Sequence, residues 1–438
     1  MNTYADSSCF CSKSELELFA TPPVNIAMER GAYVTHRTIA SITDTSPLEF
    51  HIPGSAEEYV DLGRTTLRLK IKLTKTDGNN PAADAKLSLA NLTLHSLFSQ
   101  VDCKLNQKLV TPSVNTYPYK AYLETILSHG TESKNTWLAS ELYYDDRGDV
   151  SGFDPTADNA NTGLVSRRDR IKEGRVVELV GRPHVDIFQQ DKYLLNGVDL
   201  DIKFTRSNPA FHLMTQDTTT FKLHILDATL DVRKVKINPV ISLEHNKTHQ
   251  QGITAKYPVR RGVVSTFTIP QGNQSYNKEN LLQGQLPRRL VLGFVENQAF
   301  NGHPKKNPFN FQHFDLNFLA VNTDTQQFPS QPLKPNFEQK ETVREFYNLY
   351  AAMELNNSRA GLITLQQFTN GFTLFPIDLT PDQAEGAHID PVKYGNLRLE
   401  AHFTQALQTP VNCICYAEYD NMIQIDHARN VISDFAPS

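Results

Sequence analysis

A chain of 438 residues with a formal charge of −5 has material for two cores of roughly 200 residues each. Coating nucleic acid by direct phosphate contact calls for a basic excess or a basic arm, and neither is present. No run of 18 apolar residues exists, and the N-terminus lacks the basic-then-apolar order of a secretory leader, so assembly inside the producing cell is expected.

Residues 1–25 precede the first strand signal and read as an arm, with Cys9 and Cys11 forming a C-x-C that has no partner ligands nearby. Phe50-x-Ile52-Pro53-Gly54 opens the strands of the first half. In Thr66–Lys75, Leu67, Leu69, Ile71 and Leu73 alternate with Arg68, Lys70 and Lys72, a period of two that predicts a strand with one buried face. Leu97–Leu105, Val198–Phe204 and Phe221–Val235 read as further strands. Between them, Tyr119, Tyr122, Leu123, Ile126 and Leu127 share one face of a helix predicted over Tyr119–His129.

Gly130–Arg175, polar and rich in Asp, Asn, Gly and Thr, reads as a long surface excursion. Asn238–Ile253, polar after Pro239, reads as a connector without a helix. The second half repeats the grammar of the first. Phe267-x-Ile269-Pro270 echoes Phe50-x-Ile52-Pro53, and Gly395–Phe403 echoes Gly197–Phe204. Thr342–Met353 supplies a second amphipathic helix with Val343, Phe346, Tyr347 and Tyr350 on one face. Asn322–Asn336 and Asp378–Val392 read as exposed loops. Cys413 and Cys415 alternate in a strand-like run, so reduced, buried thiols are expected.

These echoes predict an all-β chain of two tandem eight-stranded jelly rolls, with short helices and long loops. The division is a 1–25 arm, a first jelly roll over 26–240 with a loop insertion at 130–175, and a second over 241–438. The basic clusters (Arg167, Arg168, Arg170 and Lys172; Arg260 and Arg261; Arg288 and Arg289) sit beside turn residues or acids. They read as solvated faces or subunit contacts rather than a sequence-specific nucleic-acid site.

No phosphate-binding glycine loop and no G-x-S-x-G elbow occurs. The 14 histidines contain no His-x-His pair of the kind that gathers a metal in a cupin. His245 and His249 are four apart but lie in the connector, and His224 and His402 fall in strands. No catalytic, cofactor-binding or metal-ligating residue is therefore expected.

Leu48–Leu73, Ser96–Asn106 and Val411–Ile432 resemble the hexon-type major capsid proteins of the Polinton (Maverick) and adintovirus group. The resemblance covers most of the chain in order, through structural strands and turns rather than chemistry. It implies a double jelly roll that homotrimerises into a capsomer with six jelly rolls around its axis. Such capsomers tile an icosahedral shell around double-stranded DNA, in a virion, beside penton and minor capsid proteins. Adenovirus hexons, distant relatives, carry tower insertions for which this chain has no room. Arg147, Gly148 and Asp149, in the longest predicted loop, form the tripeptide by which some viral surface proteins engage integrins, and stand as a receptor candidate. Two other readings stay open: a two-domain β-sandwich carbohydrate-binding protein and a cupin-like metalloenzyme.

Overall fold

The computed structural model describes residues 14–16, 18–19, 21, 24–150, 154, 157, 159–217, 219–353, 363–381 and 390–435. The Cys9 and Cys11 pair lies outside them.

Strands β1 (Met28–Arg37), β2 (Leu48–Ile52), β3 (Glu58–Lys75), β4 (Phe98–Leu105), β5 (Lys108–Leu109), β6 (Val177–Gly181), β7 (Leu200–Arg206) and β8 (Phe221–Ile237) form the first half. They pair antiparallel into two sheets of order β1-β8-β3-β6 and β2-β7-β4-β5. The second half contains β9 (Ala255–Ile269), β10 (Ser275–Gln285), β11 (Arg289–Glu296), β12 (Leu316–Asn322), β13 (Gln327–Leu333), β14 (Leu374–Asp378), β15 (Tyr394–Phe403) and β16 (Val411–Ile425). Its sheets run β9-β16-β11-β14 and β10-β15-β12-β13, so adding eight to each label of the first pair gives the second. Outside this plan, Leu87–Leu89 pairs with Leu213–Thr215, and Val431–Ser433 pairs with the end of β16. Each half is an eight-stranded jelly roll.

The alternation that predicted β3 produces its burial: Leu67, Leu69, Ile71 and Leu73 are buried while Lys70 reaches solvent. They meet Phe50, Phe98 and Phe204 from the facing sheet. In the second half Leu290, Leu292 and Phe294 meet Leu397, Leu399 and Phe403, and one continuous apolar cluster runs through both halves.

The Gly197 and Gly395 echo is topological, since these stretches lead into β7 and lie in β15, which are equivalent. So is the helix echo. Helix α1 (Tyr117–Ser128) lies between β5 and β6, and α4 (Val343–Ala352) lies between β13 and β14. The Phe50 and Phe267 echo is not. Phe50 lies in β2, but Phe267 lies in β9, the counterpart of β1. A strand with one buried face ended by Pro has the same local pattern wherever it sits in the topology.

Three predicted loops carry structure. Within 130–175, Leu138, Leu142, Tyr143, Leu164 and Ile171 are buried, and helix α2 (Thr162–Ile171) starts at Asn161, whose side chain accepts from Gly163 and Leu164 amides. Its polar composition hid a buried ion pair: Arg167 and Asp146, 3.0 Å apart, each leave only 1% of the side chain exposed. The connector holds helix α3 (Pro239–Gln250), with Asn238 accepting from the Val240 amide and Pro at the first turn. That cap-and-proline start outweighs the polar composition. Asn322–Asn336 contains β13, whose Pro329 and Pro332 are tolerated because it is an edge strand.

Candidate functional site at the seam between the jelly rolls

Helix α1 belongs to the first jelly roll by sequence and packs between both. All of its residues except Glu124 and Ser128 are buried. Tyr122 stacks on Phe309 with ring centres 4.2 Å apart and planes 9° from parallel, and Tyr119 stacks on Phe300 at 5.4 Å. The Tyr119 hydroxyl donates to the Pro308 carbonyl at 3.0 Å, and Thr116 Oγ1 donates to the Val264 carbonyl at 3.1 Å. Gly262 on β9 makes this approach possible. A Cβ there would stand 2.9 Å from Tyr416 and 3.0 Å from the Glu124 carboxylate.

A polar cluster fills the same seam. The Lys120 ammonium bonds Asp186, and the Gly262 amide donates to the same carboxylate at 3.2 Å. Glu124 Oε2 holds His184 Nδ1 at 2.6 Å, and its other oxygen accepts from the Tyr416 hydroxyl at 3.4 Å. The His95 ring lies 4.6 Å from that of His184, with Nδ1 2.9 Å from the Tyr117 hydroxyl and Nε2 3.3 Å from Glu141 Oε2. Burial pushes the Asp186 and Glu124 carboxyls up. Burial also opposes charge on Lys120, but Asp186 and Glu124 outweigh it and raise its pKa. Burial, reinforced by His95, holds His184 well below its ordinary value. No sequence pattern flags this cluster, because its members come from positions 95 to 416 and meet only through the topology.

The Arg147-Gly148-Asp149 tripeptide forms a pinned turn rather than a free loop. The Asp149 amide donates to the Asn159 carbonyl at 3.1 Å, and the Thr162 amide donates to the Arg147 carbonyl at 3.0 Å. Asn370 of the second half donates to the Gly148 carbonyl at 3.2 Å. Gly148 has φ +88°, and a Cβ there would lie 2.9 Å from the Ala160 carbonyl oxygen. The Arg147 and Asp149 side chains are exposed, with Arg147 paired to Asp145 at 2.9 Å.

The remaining candidates have structural surroundings. His245 and His249 lie on α3 beside a cavity of ≈ 530 Å³ lined also by Tyr59, Tyr193, Ile241 and Tyr257, and His245 Nδ1 is 3.0 Å from the Tyr59 hydroxyl. His224 sits between Asp44 and Thr74, and His402 beside Glu400. Cys103, Cys413 and Cys415 are buried free thiols, and burial pushes Cys415 up to about 12.

Arg167, Arg261, Arg288 and Arg289 of the basic clusters are buried, against the solvated-face expectation, while Arg170 and Arg260 are exposed and Arg168 and Lys172 half-buried. Arg167 pairs with Asp146, and Arg289 with Glu418 at 3.4 Å; Arg288 is buried 3.6 Å from Asp420. Arg261 lies over the rings of Tyr419 and Phe435. Acids distant in sequence pair with Arg167, Arg288 and Arg289, and Asn421 accepts from Arg261 at 2.9 Å, which the local pattern cannot display.

Helix α4 meets the expectation in part: Phe346 and Tyr350 of the predicted apolar face pack against the core. Leu349 and Ala352 are buried, while Val343 and Tyr347 of the predicted apolar face are 62% and 63% exposed. Along β1 every side chain is exposed or half-buried, whereas Arg261–Val264 of its counterpart β9 are all buried. No helix among the described residues is long and apolar enough to cross a membrane.

No protein family profile matches the chain. It is similar to an uncharacterized protein of Caenorhabditis elegans, 25% identical over 403 residues, covering 89% of this chain and 93% of that one. Among solved structures it resembles a chain of the Sputnik virophage with a TM-score of 0.63 and 14% identity, covering 98% of this chain and 93% of the other. The PBCV-1 virus capsid gives 0.57 at 11% identity, with 95% and 99% covered. The mavirus major capsid protein gives 0.53 at 12% identity, with 98% and 96% covered. At these identities what is shared is the fold, over nearly the whole length. The chain is a double jelly roll.

Proposed function

We propose that the chain is a major capsid protein of a double-stranded DNA virus or of a virus-like element integrated in an animal genome. Its domains are 26–240 and 241–438, with 1–25 as an arm. Three copies form a capsomer of six jelly rolls, and the capsomers tile an icosahedral shell, in contact with penton and minor capsid proteins. The resemblance to the Polinton and adintovirus group and the nematode relative of similar length support the genomic part of this reading. The working residues are structural, and the Arg147-Gly148-Asp149 turn is a surface available to a host receptor.

The observation that carries the proposal is the unequal fate of two equivalent helices. Within the chain, α1 of the first roll covers the β9-β16 face of the second. The counterpart α4 exposes Val343 and Tyr347, and β1, the counterpart of β9, is open. In a closed ring the second roll of one copy meets the first roll of the next. There α4 covers the β1-β8 face as α1 covers β9-β16, so the intrachain seam recurs between chains. A lone chain leaves that half of the pattern unmet.

Light scattering of the purified chain should give the mass of three copies, and negative-stain images should show a hexagonal outline. A monodisperse monomer at micromolar concentration would overturn the proposal.

A further inference from the structure

The polar cluster at the seam contains more donors than packing requires. One donor atom from each of His95, Glu141 and His184 lies within 4.8 Å of the other two. His95 and Glu141 are 1% and 3% exposed, and His184 is 9% exposed. His95 Nε2 and Glu141 Oε2 face each other as an ion pair 3.3 Å apart, and neither atom meets hydrogen-bond geometry with any group among the described residues. A buried carboxylate oxygen and imidazole nitrogen that have only this loose pair retain capacity for a further partner.

The far nitrogen of each imidazole is already engaged. His95 presents its Nδ1 to the Tyr117 hydroxyl, and His184 presents its Nδ1 to the Glu124 carboxylate. Metal-bound imidazoles are commonly oriented in this way, with the far nitrogen held by a carboxylate or another polar group. It leaves Nε2 of each ring for a ligand: that of His95 faces Glu141, and that of His184 has a long contact of 3.5 Å to Thr125 Oγ1. Gly181 on β6 makes room for the third donor: a Cβ there would overlap the Glu141 carboxylate. A cavity of ≈ 20 Å³ lies on the His184 side of the group, lined also by Tyr117, Lys120 and Gly262 but not by His95 or Glu141.

We propose that His95, Glu141 and His184 bind a divalent transition metal, zinc by ligand type, at the seam between the jelly rolls. Two imidazoles and a carboxylate suit zinc, which accepts four ligands at roughly 2.0–2.2 Å, so a small contraction of the group closes the site. The three ligands come from the turn before β4, the short helical turn ending at Glu141, and the loop after β6. The ion ties the 130–175 insertion to the first jelly roll beneath α1. Glu124 is a positioning residue acting through His184. The site is structural, lies outside the sheet interiors, and does not depend on the oligomeric state.

The test uses the full chain, stripped by a chelator and then given Zn²⁺ or Co²⁺. Wild type should retain about one zinc per chain after desalting, measured by mass spectrometry of the metal. The cobalt form should show the visible absorption bands of a low-coordinate N/O site. Zinc should raise Tm progressively with its free concentration. His95→Gln and Glu141→Gln should lose the metal, and Glu124→Gln should weaken binding on the order of 10–100-fold. Wild type that retains no zinc, or folded His95→Gln and Glu141→Gln variants that retain it as wild type does, overturns the assignment. Should those variants fail to fold, anomalous diffraction at the zinc edge on wild-type crystals decides. A peak among the three side chains supports the site, and no peak there overturns it.

Discussion

Helices α1 and α4 occupy equivalent places in the two jelly rolls, and each follows a strand of the same rank. In α1 the ring side chains Tyr119 and Tyr122 are buried against Phe300, Phe309 and Phe311 of the other roll. In α4 Tyr347 is mostly exposed. Both helices have an apolar face wider than their own roll can cover. The duplication satisfies the first within the chain and leaves the second facing outward. What distinguishes them is the neighbour, not the amphipathic pattern.

Removing the largest contact of the satisfied helix tests that contrast most severely. Tyr122→Ala should lower stability by about 3–5 kcal/mol, as loss of a buried aromatic side chain does, measured by urea unfolding. Tyr122→Phe should do the opposite. The Tyr122 hydroxyl is buried with no hydrogen-bond partner among the described residues, so its removal should be neutral or stabilising by about 1 kcal/mol. Equal losses for the two variants would mean that the ring stack is not what holds the seam.

A smaller effect should follow from filling the space rather than emptying it. Gly262→Val places carbon atoms where Tyr416 and Glu124 already sit, and overpacking of this kind costs about 1–3 kcal/mol. Gly284, with nothing within 4 Å of a Cβ but a positive φ, is the control for backbone strain without crowding. Gly284→Ala should leave the seam contacts intact, as hydrogen exchange at Thr116 and Gly262 would show.

The seam should also respond to acid through His212, which neighbours Phe211, a ring in contact with Tyr119 and Phe309. Burial, reinforced by the charge of Arg206, lowers the His212 pKa to about 4, against a hydrogen bond to the Asn208 backbone that raises it. The unfolded chain protonates this imidazole near pH 6.5, and the folded chain only near 4. Unfolding therefore takes up a proton across that window, and stability falls as the pH falls through it. At pH 5.5 the loss from this group should be about 1.4 kcal/mol relative to pH 8. His212→Gln should flatten that part of the pH–stability curve, and an unchanged slope would assign the acid sensitivity elsewhere.

Much of the fold was legible because it rests on local periodicity. The Leu67–Leu73 alternation, the helical spacing of Tyr119 to Leu127 and the Gly-led strands at Gly197 and Gly395 each carry their information within a dozen residues. The matched Phe50 and Phe267 stretches misled because local grammar marks a strand without giving its rank. A His-x-His pattern does not mark His95, Glu141 and His184, which lie 46 and 43 residues apart in succession and converge through β6 and two short helical turns. Arg167, Arg261 and Arg289 look like solvated or subunit-contact charges in the sequence because their partners, Asp146, Asn421 and Glu418, become neighbours only on folding.

The smallest effect on the chain itself should come from the open counterpart of the seam, and it decides the most about function. Val343→Glu with Tyr347→Glu replaces two exposed apolar side chains of α4 by good helix formers. Both side chains are more than 60% exposed, so the stability of the isolated chain should change by less than about 1 kcal/mol. If α4 meets the β1-β8 face of a neighbouring copy, two carboxylates per interface are placed where apolar groups should be buried, and desolvating them is unfavourable. The variant should then sediment as a folded monomer where wild type forms trimers. A trimer that survives both substitutions would place the contact elsewhere and break the equivalence between the intrachain and interchain seams, while leaving the jelly-roll duplication in place.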